Sequence, residues 1–141
     1  MKRRWGILIG ISIALAWGVS CTRGPAASPT DYRSLVDALQ AEGATVEPGG
    51  AVAQPFFAVE PQVITVNGAQ VQVYEFTDTA SAEAAAARVS ADGSTVGSTM
   101  ITWIAPPHFY RSGRLVVLYV GDNEVVLSLL QSVLGEQFAG Q

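Results

Sequence analysis

Tyr32, Leu35, Val36 and Leu39 recur at i, i+3, i+4 and i+7, a spacing that puts them on one face of a helix. Ser28-Pro29 reads as its opening, with Ser28 as cap, Pro29 in the first turn and Asp31 complementing the dipole. Gly43 suits the position just past its end. Ala44 to Glu47 reads as a short extended piece, stopped by Pro48-Gly49-Gly50. The period then changes to two. Over 63–76, two alternating runs flank Asn67-Gly68, the favoured signal for a type I′ hairpin. A two-residue loop pairs Val66 with Ala69, Thr65 with Gln70 and Ile64 with Val71. Apolar then faces apolar and polar faces polar. At Tyr74-Glu75-Phe76 the large apolar residues change face. Either a bulge lies there or both faces of the sheet are covered.

Asp78 or Thr79 caps a second helix over 80–90, where the alanines supply high helix propensity and small side chains. Asp92-Gly93-Ser94 ends it, and 91–97 reads as a loop. A strand is expected over 101–105 and resumes at Phe109-Tyr110 after Pro106-Pro107. Ser112-Gly113 turns the chain into 115–120 (LVVLYV), apolar throughout and hence a central strand buried on both faces. Asp122 is the expected cap of a last helix whose core face is Val126, Leu129, Leu130, Val133 and Leu134, ended by Gly135. The order α-β-ββ-α-ββ-α predicts an α+β fold. Its antiparallel sheet is built from two hairpins, and about three helices pack on one face. The two ββα halves share an architecture without aligning residue by residue.

The first twenty residues follow another pattern. Met1-Lys2-Arg3-Arg4 is a short positive segment, and 5–19 (WGILIGISIALAWGV) is an uncharged apolar run. Polar residues follow, in the layout of a secretory signal. The run is shorter than the roughly 20 residues of a membrane span, although an uncleaved anchor that draws in Ser20 and Cys21 is the alternative. The sole cysteine, Cys21, stands at the junction. Val19-Ser20-Cys21 resembles a bacterial lipobox, in which the chain is cut just before the cysteine and a diacylglycerol is attached to its sulfur. Gly18 departs from the leucine usual in that pattern. The resemblance implies a signal peptide over 1–20, a lipidated Cys21 with a linker over 21–29, and a single domain over 30–141. Thr22, where many inner-membrane lipoproteins carry aspartate, favours the outer membrane in a cell that has two. Thr22 to Pro29 is rich in Pro, Ala, Gly and Ser and spans at most about 28 Å.

Charge narrows the partners. The whole chain carries eight basic and twelve acidic residues. Five of the basic and all of the acidic residues lie from Cys21 onward, so that part has a net charge of −7. Such a surface repels nucleic acid phosphates, which excludes nucleic acid as a partner. A lipidated Cys21 leaves the domain neither thiol nor disulfide, so its stability must come from its core.

No sequence motif declares a reaction. His108 is the sole histidine. A hydrolase would need it beside a hydroxyl such as Ser112 and a carboxylate such as Asp92, but no G-x-S-x-G elbow is present. The acidic residues are scattered without calcium-loop spacing, and one histidine cannot build the usual zinc sites. No phosphate-binding glycine loop appears, so neither a metal nor another cofactor is expected. The distinctive segment is 103–111 (WIAPPHFYR), in which aromatics, histidine and arginine surround a proline break at a sheet edge. Trp, Tyr and Arg are enriched at binding hot spots. Trp103, His108, Tyr110 and Arg111 are therefore the candidate contact residues for an envelope protein, peptide or glycan. The bland alternative makes Trp103, Phe109 and Tyr110 core residues. Gln54-Pro55-Phe56-Phe57 is a second aromatic loop.

The segments 103–111, 115–121 and 134–138 resemble a group of small uncharacterised bacterial lipoproteins, over about Asp31 to the C-terminus. The resemblance implies a membrane-held envelope domain and carries no activity. A non-enzymatic binding or accessory domain is the leading expectation, with a small hydrolase using His108 or a purely structural lipoprotein as alternatives.

Overall fold

The computed structural model describes residues 27–52 and 56–141. Cys21, the signal-like run and the linker as far as Ala26 lie outside the described residues, as do Gln54 and Pro55. The chain forms α1 (Tyr32–Ala41), β1 (Val46–Pro48), β2 (Gln62–Val66), β3 (Ala69–Glu75) and α2 (Thr79–Ala86). It continues through β4 (Thr95–Val96), β5 (Thr99–Met100), β6 (Pro107–Ser112), β7 (Leu115–Val120), α3 (Glu124–Leu134) and β8 (Ala139–Gly140). The fold is α+β. Six strands make one sheet in the order β1-β2-β3-β7-β6-β8, and β4 and β5 form a separate two-stranded sheet. Every pairing is antiparallel.

The two predicted hairpins form the centre of the sheet. Asn67 at φ 50° and Gly68 at φ 84° make the first turn, and Val66 pairs with Ala69, Thr65 with Gln70 and Ile64 with Val71. β3 and β7 then join the hairpins in an unbroken register from Val71↔Tyr119 to Glu75↔Leu115. There is no bulge at Tyr74, because both faces are covered. On one face Leu35 and Leu39 of α1 and Val126, Leu130, Val133 and Leu134 of α3 bury Val71, Val73, Tyr110, Val117 and Tyr119. On the other, Ala82, Ala85 and Ala86 of α2 join Phe57, Tyr74, Phe76, Phe109, Val116 and Leu118. The expectation that all helices share one face is thus corrected. α2 lies opposite α1 and α3, its alanines allowing close approach to Val116 and Phe109. β7 is buried on both faces, as its unbroken apolar run predicts.

Helix starts differ from the sequence reading for local reasons. Asp31, not Ser28, caps α1: its carboxylate accepts from the Ser34 N–H at 2.8 Å, and the Ser34 hydroxyl faces the Asp31 N–H in return. Pro29 is instead committed to the sheet, where its carbonyl accepts from the buried Ser112 hydroxyl at 2.6 Å. Asn123, not Asp122, caps α3, accepting from Val125 and Val126. α2 stops at Ala86, and the turns that follow return Val89 to pair with Val96. The 91–97 loop therefore includes β4. Residues 101–105 are not a strand. They cross the α2 side of the sheet as irregular chain, and β6 starts at Pro107, a first-residue position that proline tolerates. β8, unsigned in the sequence, pairs with His108 and Phe109.

The chain enters the domain beside the β6–β7 turn, where Thr30 accepts from the Arg114 N–H. Gly113 there has φ 54° and stands against Thr30.

Candidate functional site

Side chains alternate along a strand, and this divides the four candidate residues. His108 and Tyr110 point to the α1 and α3 side of β6, and Phe109 and Arg111 to the α2 side. Trp103 joins the second group, with its ring edge-on to Phe109 at 6.0 Å and tilted against Phe56 at 5.2 Å. Arg111 lies apart from Trp103, exposed, in an ion pair with Glu83 of α2 at 3.1 Å. Such a surface pair contributes about 0–1 kcal/mol. The proposed contact edge is therefore two separate places plus a surface arginine.

The first place is a cleft of about 400 Å³ on the α2 side. Leu118 and Val120 form its floor, Phe56 and Trp103 its aromatic walls, and Gln70 and Gln72 its polar margin. Trp103 is half-buried, anchored by its indole N–H donating to the Gly93 carbonyl at 2.7 Å. Beside it Ile104 is fully exposed and Met100 is 82% exposed. Tyr74 is buried under this face, and burial pushes its hydroxyl up to about 12. It donates to Gln72 Oε1 at 2.6 Å, which orients the glutamine and leaves its amide N–H groups free to serve the cleft. No ionisable side chain lines the cleft.

The second place is a pocket of about 290 Å³ on the opposite side, lined by His108, Tyr110, Leu127, Gln131, Glu136 and Gln137. His108 is 6% exposed. Its Nε2 lies 3.0 Å from the Gly121 carbonyl. A carbonyl only accepts, so Nε2 carries a proton. Nδ1 meets the Gln137 amide at 2.6 Å, and the ring stacks on Tyr119 at 6.1 Å. Both ring nitrogens are therefore engaged. Tyr110 is 2% exposed, and among the described residues its hydroxyl has no hydrogen-bond partner. No side-chain nitrogen or oxygen among the described residues is both fully buried and unpaired, so this hydroxyl keeps a small exposure, and Tyr110 lines the pocket. Burial, with Tyr119 nearby, raises its pKa and keeps it a donor. Leaving such a group unpaired costs about 1–3 kcal/mol.

The hydroxyl and carboxylate that a hydrolase would need are occupied elsewhere. Ser112 donates to Pro29. Asp92 accepts from the Ser94 N–H and from the hydroxyls of Ser90 and Ser94. These bonds, the Ser94 N–H first, hold its carboxyl down to about 2. Among the described residues no three of His, Cys, Asp and Glu gather as metal ligands, and no helix is long and apolar enough to cross a membrane.

Among the lining residues that sequence reading missed are four glutamines and a glutamate: Gln70, Gln72, Gln131, Gln137 and Glu136. Alternation in the first hairpin marks Gln70 and Gln72 as sharing one face. No local signal shows that 101–104 crosses over that face. No protein-family model, curated protein or solved structure matches the chain.

Proposed function

We propose that this chain is a membrane-anchored bacterial envelope lipoprotein, held by lipid on Cys21, whose domain is a non-enzymatic binding or accessory module. The observation that carries the reading is the placing of the sole cysteine at the end of the apolar run, directly after Val19-Ser20. Two features of the domain support it. The chain comes in at the β6–β7 turn, whereas the Trp103 cleft lies at the Leu118–Val120 end of β7. At about 3.4 Å per residue that separation is roughly 17 Å along the strand. A short tether on the first end directs the cleft away from the bilayer. The cleft itself joins aromatic walls to amide groups, with the exposed Ile104 in its lining. That combination suits an uncharged segment of an envelope protein, peptide or glycan. His108, with both ring nitrogens engaged, is a positioning group rather than a general base.

Metabolic labelling with a fatty acid tests the anchor. The wild-type chain takes up label and Cys21→Ser does not, and an unlabelled wild-type chain refutes lipidation. The cleft has its own reporter. After cutting before Cys21, Trp103 is the only tryptophan in the chain. Ligand in the cleft shifts its emission, whereas binding elsewhere leaves the emission unchanged.

A further inference from the structure

We infer that the pocket between β6 and α3 is a second binding site, for a single neutral sugar residue. Its framework follows from local rules. His108 and Tyr110 share a strand face at i and i+2, and Leu127 and Gln131 share a helix face at i and i+4. Glu136 and Gln137 close the rim in the turn before β8. The Tyr110 hydroxyl is the indicator of a ligand. It belongs to a residue only 2% exposed that lines this pocket, and it has no partner among the described residues.

The remaining lining sets the ligand class. No lysine or arginine is present, and the one carboxylate is Glu136. On a domain already net negative, this disfavours a phosphate or carboxylate ligand. The carboxylate and the amides of Gln131 and Gln137 are planar groups that offer adjacent acceptors and donors. They match neighbouring hydroxyls, the Tyr110 hydroxyl donates to a ring or hydroxyl oxygen, and Leu127 receives a C–H face. About 290 Å³ lies at the small end of small-molecule sites, which restricts the occupant to about one ring. The inference is independent of the lipid anchor and of the Trp103 cleft.

Saturation-transfer NMR on the full-length chain in detergent micelles, with glucose and N-acetylglucosamine as probes, tests it. At least one sugar receives saturation at millimolar concentration. Tyr110→Phe and Glu136→Gln each weaken that binding about tenfold, the loss of one good hydrogen bond. Trp103→Ala leaves it unchanged. Tyr110→Phe also leaves the thermal midpoint at or above the wild-type value, because the hydroxyl it removes has no partner among the described residues. A lowered midpoint marks the hydroxyl as structural and overturns the inference. So does the absence of transfer to either sugar, transfer unaltered by both pocket variants, or transfer lost only in Trp103→Ala. Binding of ethanolammonium with neither sugar bound replaces the sugar with a cation and equally overturns it.

Discussion

Trp103 and His108 are five positions apart in the chain and lie on opposite faces of one sheet. Trp103 packs edge-on to Phe109 with α2, and His108 stacks on Tyr119 beneath α3. The sheet backbone between them predicts energetic independence. His108→Ala strands the Gly121 carbonyl and the Gln137 amide and costs about 1–3 kcal/mol. Trp103→Ala, at a half-buried site, costs no more than about 3 kcal/mol. The double variant is additive within roughly 0.5 kcal/mol, as urea denaturation will read. A coupling well above that contradicts the separation.

The domain's entry point depends on Gly113. A Cβ built there stands 2.5 Å from Thr30 Cα, and φ is 54°. Gly113→Ala destabilises by more than about 1 kcal/mol. It also speeds hydrogen exchange at the Arg114 amide, which donates to Thr30. Wild-type protection at that amide would show that Thr30 does not cross the turn.

The cap of α3 separates two neighbouring residues. Asn123→Ala removes the acceptor of the Val125 and Val126 N–H groups and costs about 1 kcal/mol. Asp122→Ala is nearly neutral. The reverse order in thermal melts would restore Asp122 as the cap.

Acid acts on the Ser90–Ser94 turn through Asp92. Its carboxyl is held down to about 2 from 3.8. A depressed carboxylate stabilises the fold fully above its unfolded value and loses that contribution as pH falls through its folded value. The turn therefore weakens between about pH 4 and pH 2. In Asp92→Asn, protection of the Ser94 amide shows no such step across this window. An identical acid step in wild type and variant rules Asp92 out as its source.

Elements set by near neighbours were legible in advance. The Asn67-Gly68 hairpin has the register its alternation implies, and the apolar run 115–120 is the doubly buried strand. Local sequence and structure part where a distant residue competes. Pro29 is suited to a first helical turn, but Ser112, 83 positions away, takes its carbonyl. Residues 101–105 have strand composition, yet they lie across the Leu118–Val120 end of the sheet as irregular chain. The cluster 103–111 reads as one contact edge in sequence because its residues are adjacent in the chain. Strand alternation turned it into two places, and the glutamines that complete them come from β3, α3 and the last turn.

By itself the sequence determined the hairpin register, the buried central strand, the acidic character of the domain and the position of Cys21 at the end of an apolar run. Each follows from spacing, composition or charge within a short stretch. Only the tertiary structure decided that α2 packs opposite α1 and α3, that Trp103 is divided from His108, and that Tyr110 lines a pocket with its hydroxyl unpartnered among the described residues. Those outcomes depend on which surfaces bury each other. Side-chain period defines the two faces of a sheet, but contacts between distant segments determine what covers each one.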